Sequence, residues 1–280
     1  MAVFKAACVQ LNSGSDLAAN LRAIEHGVRE AAAHGAQLVT LPEYAALLDG
    51  SGRVMRENSF AEDAHPALAA CRALARDTGV WLLAGSLTIR IDDRFMANRS
   101  FLCAPDGAVA ARYDKIHMFD VTLPSGKVIR ESSAYRPGDR AVVAATPWGP
   151  LGMTVCYDLR FPQLFRALAR AGALFLTVPA SFQRETGVAH WHSLLRARAI
   201  ENLAYVLAPA MCGEHAGGRS TYGHSLIIDP WGKIIAELGD EPGICYADIN
   251  PDEVLRVRAM LPALTHDTGF IPPSAPVSAA

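Results

Sequence analysis

Short apolar runs alternate with segments of helical period along almost the whole chain, and the alternation occurs twice. FKAACVQ (4–10) has the make-up of a buried strand, and Asp16 then caps a helix with Leu17, Leu21, Ile24, Val28 and Ala31 on one face. Gly35 ends that helix, and AQLVTLPE (36–43) is the next strand. Pro66 opens a second helix through Leu68, Cys71 and Leu74, closed by Gly79, before strands at 80–89 and 99–104. Past the turn Trp148-Gly149-Pro150 the rhythm returns. A strand runs into Cys156, a helix covers 162–171, a strand 173–180 and a helix 190–205. Strands follow at 205–211, in a hairpin over 223–238 across Pro230-Trp231-Gly232, and at 243–249, with a short helix over 251–260. Alternation of this kind gives an α/β domain. A dozen or so strands overfill one open sheet, so two sheets with helices outside are expected.

No linker divides the halves, so a single domain is expected over 1–270, with a Pro- and Ser-rich tail at 271–280 expected to be disordered. A polar segment, 118–140, shows little periodicity; loops of that length inside a domain tend to be functional.

Bulk properties exclude several classes. A net charge of −2 over 280 residues offers no electrostatic case for nucleic acid or an anionic membrane. No stretch of 18 apolar residues occurs, and MAVFKAACVQLN lacks the basic flank and long apolar core of a signal peptide, so a cytoplasmic protein is expected. The six cysteines, 8, 71, 103, 156, 212 and 245, lie far apart without a CxxC pair, which argues against a disulfide framework or a zinc site.

Three stretches each end a strand with a reactive group: LPEY with Glu43, YDKIHMF with Lys115 and VCYDLRF with Cys156. A carboxylate beside a thiol can act as general base for acylation and then activate water. A lysine beside both can lower the thiol pKa and stabilise an oxyanion, and the Tyr157 N–H, at the start of a helix, can supply a second donor. The residues alone permit this reading but favour a buried structural cysteine, since free cysteines are commonly buried.

LPEY, YDKIHMFD, GMTVCYDLRFPQL and YGHSLIIDPWGKI, in this order and spacing, resemble the nitrilase superfamily of carbon–nitrogen hydrolases, over about residues 4 to 262. The resemblance implies a four-layer αββα sandwich packed as a homodimer, with Cys156 as nucleophile, Glu43 as base and Lys115 beside them. It also implies a second glutamate in the loop after the lysine, here Glu131 in KVIRESSAYRPGD (127–139). DLRFP, TGVAHWHSLLRARAIEN and YGHSLIIDPWG are most similar to the Nit branch, which acts on ω-amides such as α-ketoglutaramate or on deaminated glutathione. Such substrates carry a carboxylate, so a fixed cation is needed, and Arg160 is the matching candidate. Its alternative reading is an ion pair with Asp158. Many members of that branch have Glu where His192 stands. SFQRETG (181–187), with Phe182, is expected to be a specificity loop, and Tyr44 either contacts substrate or packs.

His190 and His192, two apart on a helix, face different sides and make a poor metal pair, while His117 and His224 are expected to be hydrogen-bonded structural residues. No metal and no cofactor is expected, since thiol acyl transfer needs none. N-carbamoyl-amino-acid hydrolysis and nitrile hydrolysis use the same triad and remain open, as does a non-catalytic binding role on the same fold.

Overall fold

The computed structural model describes residues 1–266 and 268–271, so the expected disorder of the tail falls, past residue 271, outside the described residues. Two sheets form the centre. The first has seven strands: Gly243–Ile249, Phe4–Gln10, Leu38–Thr40, Trp81–Leu83, Met96–Cys103 and Leu87–Arg90 in spatial order, with Val109–Asp114 also paired to Met96–Cys103. The second has six: Ile234–Glu237, Leu226–Ile228, Tyr205–Ala208, Phe175–Thr177, Leu151–Met153 and Val142–Ala144. Phe4–Gln10, Leu38–Thr40 and Trp81–Leu83 run parallel, as do Leu151–Met153, Phe175–Thr177 and Tyr205–Ala208.

The period-2 pattern sorts side chains between two packing layers. Phe4, Ala6, Cys8, Leu38, Leu83 and Leu102 of the first sheet join the core of the second sheet. Their neighbours Ala7, Val9, Val39, Leu82 and Phe101 pack instead with Ile24, Val28, Leu68 and Leu74 of the helices Leu17–Ala33 and Pro66–Thr78. Leu164, Phe165, Trp191 and Leu195, from the helices Pro162–Arg170 and Arg184–Asn202, join the core of the second sheet. The result is the expected four-layer αββα sandwich. Phe4 ties its middle, stacking on Trp148 at 4.2 Å and meeting Phe175 edge-on at 5.4 Å.

Three expectations need adjustment. The strand read over 36–43 pairs only at Leu38–Thr40, and its remainder runs on as the loop that carries Glu43. The fourth long helix begins at Arg184 rather than 190, so most of the presumed loop 181–187 is its first turn. The segment 118–140 is not featureless: Asp120–Thr122 and Val128–Arg130 pair as a hairpin, followed by a 3₁₀ turn at Glu131–Ser133.

Candidate active site

Glu43, Lys115, Cys156 and Glu131 meet at the ends of strands from both sheets. Glu43 lies just beyond Leu38–Thr40, Cys156 just beyond Leu151–Met153, and Lys115 directly follows Val109–Asp114. Chain leaving the carboxyl ends of parallel strands is where α/β folds place reactive groups.

Local backbone geometry aims these side chains. Cys156 holds φ 50°, in the left-handed region that costs a residue with a Cβ about 1–3 kcal/mol, and Tyr44, next to Glu43, holds φ 58°. The Cys156 turn is fixed by the fully buried Asp158, which accepts from Val155 N (2.9 Å), Tyr113 Oη (2.7 Å) and His117 N (3.1 Å), and meets His117 Nδ1 at 2.7 Å. Asp158 thereby ties the cysteine turn to the strand end that carries Lys115. Arg198 secures the other side, donating from Nε and Nη2 to Leu159 O at 3.0 and 2.7 Å. On the Glu43 side, Gly85 sits at φ 65° where any Cβ would overlap the carbonyl oxygen of Pro42. Gly85→Ala must therefore displace the Pro42-Glu43 segment, and we expect kcat to fall by roughly 100-fold through misplacement of the base; unchanged kcat would show that the segment does not position it.

The charged groups form a closed network. Glu43 Oε1 accepts from Lys115 Nζ (3.1 Å) and Asn98 Nδ2 (2.9 Å), and its Oε2 from Ser181 N (2.8 Å) and Ser181 Oγ (2.6 Å). Lys115 Nζ also donates to both oxygens of Glu131, at 2.9 and 2.8 Å. Glu131 in turn accepts from Phe119 N (2.6 Å) and Tyr44 Oη (3.0 Å). Lys115 and Glu43 are 2% and 1% exposed, so these contacts act at low dielectric.

Burial by itself would raise the Glu43 pKa, but the Lys115 and Arg219 charges and the Ser181 hydrogen bond outweigh it and hold the carboxyl down at about 2. Burial would likewise discharge Lys115, and the Glu131 and Glu43 carboxylates keep it charged far above neutral pH. Cys156 goes the other way. Burial first, and then the Glu43 charge beside it, raise its thiol well above the usual value, with Lys115 opposing in part. Lys115 does lower the thiol pKa, as expected, but burial and the Glu43 charge outweigh it. The resting pair is a neutral thiol beside an ionised carboxylate, not a thiolate.

An open-mouthed cavity of about 230 Å³ reaches this network, room for a small linear substrate and not for a folded chain. Its walls include Glu43, Tyr44, Lys115, Glu131, Cys156, Tyr157 and Phe182, so seven of the residues singled out from the sequence converge there. Tyr157 stands second in the 3₁₀ turn Cys156–Arg160, where first-turn N–H groups have no partner within the helix. Arg160 is not on the cavity wall. Its Nη2 lies 3.3 Å from His190 Nδ1, and its guanidinium sits against the rings of Phe182 and Tyr157. It does not pair with Asp158, whose oxygens are taken by Tyr113 and His117. The cations that do face the cavity, besides Lys115, are Arg219 and Arg130.

Sequence reasoning missed Asn98, Ser181 and Arg219. Arg219 Nη2 donates to Ser181 Oγ at 2.7 Å, and Ser181 Oγ donates on to Glu43, which links the guanidinium to the base through one hydroxyl. Ser181 follows its strand much as Cys156 follows the neighbouring one, a parallel that the sequence did offer.

A thiol against an ionised buried carboxylate, with a fixed ammonium on that same carboxylate, defines a cysteine-dependent amidohydrolase on an αββα sandwich. Residues 5–259 match the carbon-nitrogen hydrolase family, and the chain belongs to it. It is 40% identical over 270 residues to a deaminated glutathione amidase from Synechocystis, covering 95% of this chain and 98% of the relative. Among solved structures it resembles the C. elegans NitFhit protein with a TM-score of 0.88 and 33% identity, over 95% of this chain and 65% of that longer one. A second solved relative is a mutant amidase from Nesterenkonia, in which acrylamide has undergone Michael addition at the active-site cysteine. There the TM-score is 0.77 and the identity 30%, over 92% of this chain and 98% of the relative. Among the described residues no helix is long and apolar enough to cross a membrane.

Proposed function

We propose that this amidohydrolase acts through a thioester on Cys156 and cleaves a small linear amide that carries a carboxylate, with deaminated glutathione the leading substrate and ω-amides such as α-ketoglutaramate next. The observation that carries the catalytic reading is the Cys156 thiol held against Glu43, with Lys115 on the same carboxylate. Glu43 takes the thiol proton as Sγ attacks the amide carbonyl. The Lys115 ammonium and the Tyr157 N–H stabilise the oxyanion. Collapse expels the amine or ammonia, which leaves with the proton held by Glu43. Glu43 then takes a proton from water as its oxygen adds to the thioester carbonyl, the C–S bond breaks with return of that proton to Sγ, and the acid departs. Because Glu43 is a weak base facing a weak acid, proton transfer must accompany C–S bond formation rather than precede it. Glu131 and Tyr44 hold Lys115 in place.

Both protonation states are fixed over a broad range, so kcat/KM is expected to stay level from pH 8 down to at least pH 5. An acid limb centred near pH 6.5 would point to a histidine base instead.

The substrate carboxylate is assigned to Arg219 and Arg130 on the cavity wall, with Arg160 acting through its support of Phe182 and Tyr157. Arg219→Lys should raise KM for a carboxylate-bearing amide at least about 10-fold more than for its neutral counterpart. Arg160→Lys should affect the two alike, and the reverse pattern would restore Arg160 as the clamp. A panel of deaminated glutathione, α-ketoglutaramate, succinamate, an N-carbamoyl amino acid and a nitrile tests the substrate class. Carbon dioxide released with ammonia would mark an N-carbamoyl hydrolase, and acid from the nitrile would mark a nitrilase. Six free, buried cysteines suit the reducing cytoplasm. Exposed Ile200, Trp231 and Met260 suit a homodimer surface, which light scattering tests.

A further inference from the structure

Away from the amidase cavity, three ligand-type side chains from three separate elements converge. His192 comes from the helix Arg184–Asn202, His224 from the turn before Leu226–Ile228, and Glu237 from the end of Ile234–Glu237. His192 Nε2 lies 2.6 Å and His224 Nδ1 3.2 Å from the same atom, Glu237 Oε1, and all three ligand atoms fall within 4.8 Å of one another. The frame is rigid: Trp191 Nε1 donates to His224 O at 2.9 Å, pinning the helix to the turn, and His224 stacks on Tyr222 at 4.4 Å. His224 also holds φ 55°, a left-handed backbone for a residue with a Cβ.

The other ring nitrogen of His224 also faces a carboxylate: Nε2 lies 3.4 Å from Asp240 Oδ1, which Arg184 Nη1 meets at 3.4 Å. One neutral tautomer of His224 donates Nδ1–H to Glu237; the other, with the proton toward Asp240, turns the Nδ1 lone pair into the cluster, where a cation can take it. A carboxylate behind the distal nitrogen of a metal-binding imidazole is the usual device that fixes the tautomer for coordination.

We propose that His192, His224 and Glu237 bind a divalent transition-metal ion of the zinc type, with Asp240 orienting His224 and solvent completing a four-coordinate site. Two imidazoles and one carboxylate are a donor set that such ions accept. Bonds of about 2.0–2.2 Å place ligand atoms roughly 3.4 Å apart, within a side-chain adjustment of the present arrangement. The pairing His190 with His192 plays no part, since His190 turns to Arg160 on another side of the helix. Bound metal would cross-link the helix whose first turn supplies Thr186 of the cavity wall to the hairpin Leu226–Ile228 and Ile234–Glu237.

The test is titration of metal-stripped full-length protein with zinc chloride, followed by calorimetry and elemental analysis, in a Cys156→Ala background so that the active-site thiol cannot bind the ion. One equivalent per chain is expected, together with a raised unfolding temperature. His192→Gln and Glu237→Gln should each weaken binding at least about 100-fold, and Asp240→Asn about 10-fold. These side chains are partly exposed, so the variants should fold, which circular dichroism checks. No binding, or binding indifferent to His192 and Glu237, overturns the proposal. The outcome is independent of the amidase reading, which is tested by turnover.

Discussion

Cys156→Ala will leave a folded protein whose amide turnover is lower by on the order of 10⁴- to 10⁶-fold, the scale seen when a nucleophile is removed from a working unit. The fold should tolerate the change. Alanine accepts the same left-handed backbone at the same strain, and losing one buried sulfur costs about 1 kcal/mol. Asp158 and Arg198 still hold the turn, because they grip it through Val155 N and Leu159 O, which the substitution leaves in place. Cys156→Ser should be nearly as inactive. A hydroxyl is a far weaker acid than a thiol, and Glu43, held at about 2, is too weak a base to help it. Steady-state ammonia release with matched circular dichroism spectra checks both. Substantial activity in the alanine variant would remove the cysteine from the mechanism.

Lys115→Met carries the largest effect on stability. The lysine is 2% exposed between Glu43 and Glu131, and methionine leaves two buried carboxylates facing each other without their cation. Breaking a buried pair in this way costs about 3–5 kcal/mol. The sign of the pH response identifies the cause. In the wild type, the depressed Glu43 pKa contributes stability that is fully present above pH 4.5 and is lost as pH falls toward 2, about 3 kcal/mol by linkage. Without Lys115, mutual repulsion and burial raise the folded-state carboxylates above their unfolded values. The variant is then most stable in mild acid and loses stability as pH rises through the raised pKa. Calorimetry from pH 5 to 8 should show the unfolding temperature of Lys115→Met falling while that of the wild type does not. Parallel curves would mean that charge compensation is not what Lys115 supplies. The variant should be inactive throughout this range, having lost the oxyanion's cation.

The layered fold was legible because its signals are local. Alternation along residues 4–10 separates Phe4, Ala6 and Cys8 from Ala7 and Val9, and helical spacing in 17–33 buries Ile24, Val28 and Ala31. Glu43, Lys115 and Cys156 were legible for a different reason, since each sits inside a short string whose order and spacing match a known family. Arg160 was put forward from its place in the family pattern, which does not say which way the turn after Cys156 points its side chain. The segment is a 3₁₀ turn of three residues per turn, so the fourth residue on is rotated about 120° away from the cavity. Asn98, Ser181 and Arg219 left no periodic mark. They reach Glu43, Arg219 by way of Ser181, from one strand, one loop and one hairpin that only tertiary packing brings together. The His192, His224 and Glu237 cluster was hidden likewise, since its members are neighbours across three elements and not along one.

The central claim is that Cys156 is acylated during turnover. Rapid acid quench of the enzyme with deaminated glutathione, followed by intact-mass and peptide mapping, tests it most directly. The account predicts an adduct whose mass equals the acyl half of the substrate, confined to the peptide bearing Cys156, labile to hydroxylamine and absent from Cys156→Ala. Product formation at the wild-type rate by Cys156→Ala, or an acyl adduct mapped to any other residue, would contradict it.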